Sequence, residues 1–225
     1  DTLAPWTMPT RLGAAWLLLR VWRLVALRAW RDLRAARVER HRAGDAPAGA
    51  RVVAEHRSAL WRDGREDEFR LVAGKVENLR VARHAFDGVV VPAGAVLSFW
   101  KQLGRPTRGR GFVEGREIRA GCVVPVIAGG LCQLSNALAA CALECGMTLV
   151  ERHAHTARIE RDAAAPDAID ATVSWNYVDL RVSAPFAWRL EVALTGDELV
   201  VRVSAAQAGA GRPIPLVAAR GPAPP

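Results

Sequence analysis

The residues whose type most directly invites chemistry are four cysteines, Cys122, Cys132, Cys141 and Cys145, and their settings differ. Cys132 follows Gly129-Gly130-Leu131 where a helical pattern begins. A helix N-terminus offers free N–H groups and the positive end of the helix dipole, and both favour a thiolate over a thiol. Those N–H groups, with the backbone at Gly129, Gly130 and Gln133, can also hold the oxyanion formed when a thiolate attacks a carbonyl. The paired glycines let the backbone come close to a substrate. The chemistry on offer is nucleophilic acyl transfer through a thioester. Cys141 and Cys145 instead lie seven and eleven residues beyond Leu134, on one apolar stripe with Leu138, and read as core. Cys122 falls in a strand pattern and reads as structural. The cysteine spacing matches neither a disulfide-rich scaffold nor a two-knuckle zinc site, so no metal or cofactor is expected.

A thiol nucleophile needs a base. Val150-Glu151-Arg152-His153-Ala154-His155 supplies two histidines, which share a strand face with Glu151 if the segment is extended. Either histidine could take the thiol proton, and a carboxylate could hold its ring. Asp170, at the start of Asp170-Ala171-Thr172-Val173, is the better orienter, and Asp179 the weaker one. A cysteine opening a helix, then a histidine, then an acid is the chain order of papain-like cysteine enzymes, by analogy.

The elements that must position these residues follow from periodicity and turn residues. Phe69, Val72, Val76, Leu79 and Phe86 have helical spacing, blemished by Gly74 and stopped at Asp87-Gly88. Strands are predicted over Val89 to Val91 and Val96 to Trp100, with a turn at Pro92-Ala93-Gly94 between them and a loop over Lys101 to Gly111. Two more, Phe112 to Ile118 and Cys122 to Ile127, join at Ala120-Gly121. The helix opened by Cys132 should end at Cys145-Gly146. Met147 to Ile159 and Ala171 to Val182 read as strands, and Leu190 to Leu194 with Leu199 to Val203 as a hairpin. The expected fold is α+β: a mainly antiparallel sheet packed on a central helix that starts at the cysteine.

Ahead of this body, Arg20, Arg23, Arg31 and Arg34 share one face of a helical pattern, and Leu18, Val21, Trp22, Val25, Ala29 and Leu33 share the opposite one. A basic amphipathic helix with tryptophans lies on an anionic membrane surface or docks on its own domain, and periodicity does not separate the two. The apolar run Leu12 to Leu19 is too short to span a bilayer and lacks a cleavage site, so no clear signal peptide is read. The chain begins at Asp1 with Met8 close behind, and residues 1–7 are expected to precede the natural start. Three units result: the basic helix and linker over 1–50, the body over 51–205, and a loose Pro/Gly/Ala-rich tail over 206–225. With 225 residues, 51% hydrophobic and 24% charged, a largely disordered chain is excluded. The net charge of +8 rests almost wholly on arginine, since Lys75 and Lys101 are the only lysines. No nucleic-acid motif accompanies that charge, and nucleic acid is not an expected partner.

Several blocks together resemble the VanW family, named from vancomycin B-type resistance clusters. They are Asn78-Leu79, Pro92-Ala93-Gly94, Leu97-Ser98-Phe99-Trp100, Leu103-Gly104-Arg105-Pro106-Thr107, Gly111-Phe112-Val113-Glu114-Gly115, and Gly129 through Asn136. Val150 through His155, Ala171-Thr172-Val173 and Asn176 through Arg181 complete the series, from about Val76 to Val182. The family's glycine-rich block usually carries three glycines, and here the first is Ala128. The resemblance implies LD-transpeptidase-type chemistry on peptidoglycan stem peptides, with Cys132 as nucleophile, His155 as base and His153 as a support or substrate contact. Asp170 would orient the base, and Arg105, Arg108 and Arg110 would bind stem carboxylates or form a solvated loop. Water as acceptor would make the same site a carboxypeptidase. A non-catalytic accessory that binds a wall precursor or a partner protein is the alternative. Either function favours a membrane-associated or envelope location.

Overall fold

In a computed structural model of the chain, residues 10–34, 38–61, 68–119, 122–154, 170–175 and 177–206 are described. The expected turn at Ala120-Gly121, the candidate base His155, residues 1–7 and the tail beyond Ala206 lie outside them.

Helix α1 (Arg11–Arg34) precedes strand β1 (Arg51–Ala59) and helix α2 (Phe69–Phe86). Strands β2 (Val90–Val91) and β3 (Val96–Ser98) lead into the short helix α3 (Phe99–Leu103) and a 3-10 turn at Arg108–Arg110. The hairpin of β4 (Glu114–Arg119) and β5 (Cys122–Ile127) feeds helix α4 (Cys132–Glu144). Strands β6 (Thr148–Glu151), β7 (Arg181–Ser183), β8 (Trp188–Leu194) and β9 (Glu198–Ala205) complete the fold. It is α+β with antiparallel strand pairing, divided among three sheets: β1-β9-β8-β2, β3-β7-β6 and β4-β5.

Helix α2 has the bounds its periodicity predicts. It buries Val72, Val76, Leu79, Ala82 and Phe86, whereas Phe69 at its start is exposed and stacks on Trp61. Gly74 is no blemish. A Cβ there would overlap the carbonyl oxygen of Glu114, so glycine lets β4 lie against the helix. The stripe of α4 is buried as read: Leu134, Leu138, Cys141 and Cys145 pack on β1 and β9. Gly146, at φ 68, follows the helix end. In β8, Trp188, Leu190 and Val192 alternate inward, and β9 returns through Thr195–Glu198 to face them with Val201 and Val203.

Four expectations are corrected. The strand predicted to reach Trp100 ends at Ser98, whose hydroxyl accepts from Lys101 N–H (3.1 Å) and caps α3. The region read as an unbroken loop thus holds α3 and a 3-10 turn. The strand over Met147 to Ile159 closes at Glu151, with 152–154 irregular. Residues 171–175 and 177–180 are not a strand either: Ser174 and Val178 bond to each other, and of the predicted strand only Arg181 and Val182 pair in a sheet. Trp175 explains part of this, because its ring is committed edge-on to Trp100 at 5.4 Å. Strand β1, which no pattern announced, is an edge strand with Ala54 as its fully buried residue.

Candidate functional site

The site is built around the turn that delivers Cys132. Ala128 N–H donates to Val113 (3.0 Å) and Gly129 N–H to Val126 (2.8 Å), closing the turn on the hairpin. Ala128 sits at φ 64, the left-handed conformation a glycine would take without cost. Gly130 is at φ 94, and a Cβ there would strike the stem of Lys75. Gly129 and Gly115 touch backbone to backbone, each leaving no room for a Cβ on the other. Asn78 of α2 locks the junction: its amide donates to Val113 and Gly129 carbonyls, both at 3.0 Å, and its oxygen accepts from Val113 N–H at 2.9 Å. The glycine-rich block is therefore a point of close backbone packing between α2, β4 and the turn.

Cys132 is the first residue of α4 and is half-buried. Its Sγ points at the segment 171–173 and lies 3.9 Å from the Val173 carbonyl. The next turn of α4 stitches that segment down. Ser135 Oγ donates to the Ala171 carbonyl at 2.5 Å, and Asn136 Oδ1 accepts from Ala171 N–H at 2.7 Å. Gln133 reaches the other way, its amide donating to Ser58 Oγ and the Ala59 carbonyl, both at 2.9 Å. Of the N–H groups expected to face an oxyanion, Gly129 donates to Val126, and Gln133 donates to Gly130 at 3.1 Å. Sequence reasoning missed the roles of Asn78, Ser135 and Asn136. All three stand in the motif blocks as polar residues on otherwise apolar helix faces, which is the signal that marks them.

The same segment gathers two further candidates. Thr172 N–H donates to the His153 carbonyl at 2.8 Å, and Arg152 donates to the Asp170 carbonyl at 2.7 Å. The Cys132 thiol and the His153 backbone thus both meet the segment that follows Asp170, although the cysteine comes from a helix start and the histidine from beyond β6. The Asp170 carboxylate has Thr172 Oγ1 at 3.4 Å. The His153 ring lies 3.1 Å from Glu151 Oε1, an imidazole–carboxylate pair seen directly.

Glu151 is the hub of a part-buried charge network. Arg28 of α1 forks onto it with bonds of 2.7 and 2.5 Å, and Arg181 Nε lies 3.3 Å away. Burial opposes its ionisation, but the His153 bond, the Arg28 fork and the Arg181 charge outweigh that and hold its pKa near about 2. Asp179 is buried, which raises its pKa despite bonds from Ser98 Oγ (2.6 Å), Trp100 N–H (3.1 Å) and Arg181 Nε (3.0 Å). Those bonds commit Asp179 to tying α3 and β7 together. Arg181 Nη2 also donates to both carboxylate oxygens of Asp32 of α1, at 2.7 and 2.8 Å.

The three loop arginines are engaged locally. Arg110 donates to the Leu103 and Arg105 carbonyls and lies over Phe112, Arg108 pairs with Glu114 at 2.6 Å, and Arg105 lies over the Trp22 ring. Among the described residues no hydrogen bond or ion pair links them to Cys132, His153 or Asp170. Nor is any group of three or more His, Cys, Asp and Glu placed to hold a metal ion among those residues. An apolar cavity of about 10 Å³, lined by Leu97, Leu138, Met147 and Trp188 among others, is a packing gap in the core.

Comparison with known proteins decides the family. The profile described as "VanW like protein" matches residues 74–204, from α2 to β9. The chain belongs to the VanW-like family. Within that domain lie the Gly-Gly turn, Cys132, the 170–173 segment and, of the charge network, Glu151, His153, Asp179 and Arg181, whereas Arg28 and Asp32 of α1 lie ahead of it. The chain is 26% identical over 135 residues to the vancomycin B-type resistance protein VanW of Enterococcus faecalis, covering 58% of this chain and 49% of that protein. It is 32% identical over 104 residues to the uncharacterized protein YoaR of Bacillus subtilis, covering 46% of this chain and 33% of that one. The chain therefore spans about half or less of each relative. No solved structure matches it significantly.

Proposed function

We propose that this VanW-like domain is a cysteine acyltransferase acting on peptidoglycan stem peptides, with a link to glycopeptide resistance suggested by the name of its enterococcal relative. The observation that carries the reading is the half-buried Cys132 thiol at the first residue of α4, aimed at the segment 171–173, which follows Asp170 and bonds to the His153 backbone carbonyl. The Cys132 thiolate attacks the carbonyl carbon of a stem-peptide residue, its proton having passed to His155. The turn's N–H groups around Cys132 hold the oxyanion. The C–N bond to the terminal D-amino acid then breaks, and the leaving amine takes the proton from His155. An amine of a second stem attacks the thioester, gives its proton to His155 and releases the thiolate, so that one amide replaces another. With water as acceptor the product is a shortened stem. Asp170 orients the base, and His153, held by Glu151, lines the approach.

Incubating the purified protein with a stem pentapeptide and measuring its intact mass tests this. An acyl adduct sensitive to hydroxylamine, lost in Cys132→Ala and strongly reduced in His155→Ala, is the expected result. Turnover retained by Cys132→Ala rejects it. The internal bonds of Gly129 and Gln133 N–H favour a second reading, a non-catalytic module that binds a wall precursor. That reading gains if Cys132 alkylates no faster than a cysteine of the unfolded chain while pentapeptide still binds.

A further inference from the structure

Helix α1 has one face on the body and one face in solvent. Arg28 and Asp32, four residues apart and hence stacked, face inward and are held by Glu151 and Arg181. Val21, Leu24 and Val25 are partly buried on that side. The expected apolar face is therefore divided. Val21 and Val25 turn toward the body, whereas Leu18, Trp22 and Leu33 stay exposed. A second apolar ridge runs along the side opposite Arg28: Leu12, Trp16, Leu19 and Trp30 are 84%, 70%, 67% and 51% exposed. Arg20 and Arg31 are exposed beside it, and exposed Arg23 interrupts it between Leu19 and Trp30, where its long stem can carry the guanidinium up to the headgroup level. The only acidic residue of α1 is Asp32, and it is spent on Arg181.

We propose that α1 is an interfacial helix that seats the domain on an anionic lipid surface. Leu12, Trp16, Leu19 and Trp30 would enter the boundary between headgroups and acyl chains, while Arg20, Arg23 and Arg31 meet lipid phosphates. The charge pattern selects this occupant. The outward side carries arginine and no carboxylate, and guanidinium forks match phosphate oxygens. Tryptophan suits a boundary that is apolar on one side and wet on the other. A second copy of the chain fits poorly, because self-pairing would press Arg20, Arg23 and Arg31 against their own counterparts. No described helix is long and apolar enough to cross a membrane, so α1 lies along the surface. Its attachments to Glu151 and Arg181 fix which side of the body faces the lipid. The inference stands apart from the acyl-transfer reading, since vesicle binding needs neither Cys132 nor a stem peptide.

Flotation of the full chain with two vesicle populations tests it: phosphatidylcholine alone, and phosphatidylcholine with one third phosphatidylglycerol. The protein should float with the anionic vesicles, with a blue shift of tryptophan emission, and bind neutral vesicles about tenfold or more weakly. Added salt should weaken the anionic binding. Trp16→Ser with Leu19→Ser, and separately Arg20→Gln with Arg23→Gln and Arg31→Gln, should each lower it by about tenfold or more at unchanged far-UV circular dichroism. Equal binding to both vesicles, no flotation, or a dimer in sedimentation that Trp16→Ser with Leu19→Ser abolishes would overturn the proposal.

Discussion

Replacing Glu151 by glutamine keeps the side chain's size and removes the charge on which α1, β7 and His153 converge. In the native protein that carboxylate takes a two-bond fork from Arg28, has Arg181 Nε at 3.3 Å and lies 3.1 Å from the His153 ring. Its pKa falls from 4.5 to about 2 in the fold, and its side chain is 15% exposed, so solvent screening discounts the value little. At 1.36 kcal/mol per pKa unit, the gap corresponds to about 3 kcal/mol of stability, the scale expected when one partner of a buried pair is lost. Because the folded pKa is depressed, this stability is fully present above about pH 4.5 and is lost as the pH falls toward 2. Glu151→Gln should therefore lower unfolding free energy by about 3 kcal/mol at pH 7, and the gap from wild type should close between pH 4.5 and 2. Denaturant melts of both proteins across that range measure it. Protease cleavage within α1 of the variant, ahead of global unfolding, would report loss of the Arg28 clamp. A difference below about 1 kcal/mol at pH 7, or one that does not change with acid, would refute the assignment of the network to Glu151.

Three further outcomes are expected. Ala128→Gly should raise stability by about 0.5–1 kcal/mol in denaturant melts, because alanine at φ 64 carries a steric cost that glycine does not. Asn78→Ala should cost about 2–4 kcal/mol in the same melts, leaving the carbonyls of Val113 and Gly129 and the N–H of Val113 without that partner in a packed junction. Burial pushes Cys141 and Cys145 up to about 12 and about 11, so neither should alkylate with iodoacetamide at pH 8 in the folded protein. Peptide mapping after a short pulse should find Cys132 carrying the label well ahead of both.

Local patterns in the sequence determined the elements whose periodicity is strong. Helix α2, the apolar stripe of α4 and the β8–β9 pair need only neighbouring residues to declare an inward face, and the β4–β5 pair follows from two adjacent strand patterns. The cysteine at the start of α4 is legible for the same reason, since a glycine turn and a helical stripe lie side by side in the chain. Tertiary structure decided what depends on distant partners. Strand β1 shows no clear alternation because it is an edge strand whose register comes from β9, about 150 residues later. Residues 171–175 carry strand-like composition, but Ser135 and Asn136 hold Ala171, and Trp100 holds Trp175, in an irregular path. Asp179 is an ordinary acid in sequence and a buried brace in space, and the inward side of α1 is set by Arg28 and Asp32 rather than by its apolar period. Periodicity records which side of an element is apolar. Which charge meets which across more than a hundred residues is settled only when burial makes an unpaired carboxylate or guanidinium too costly to leave.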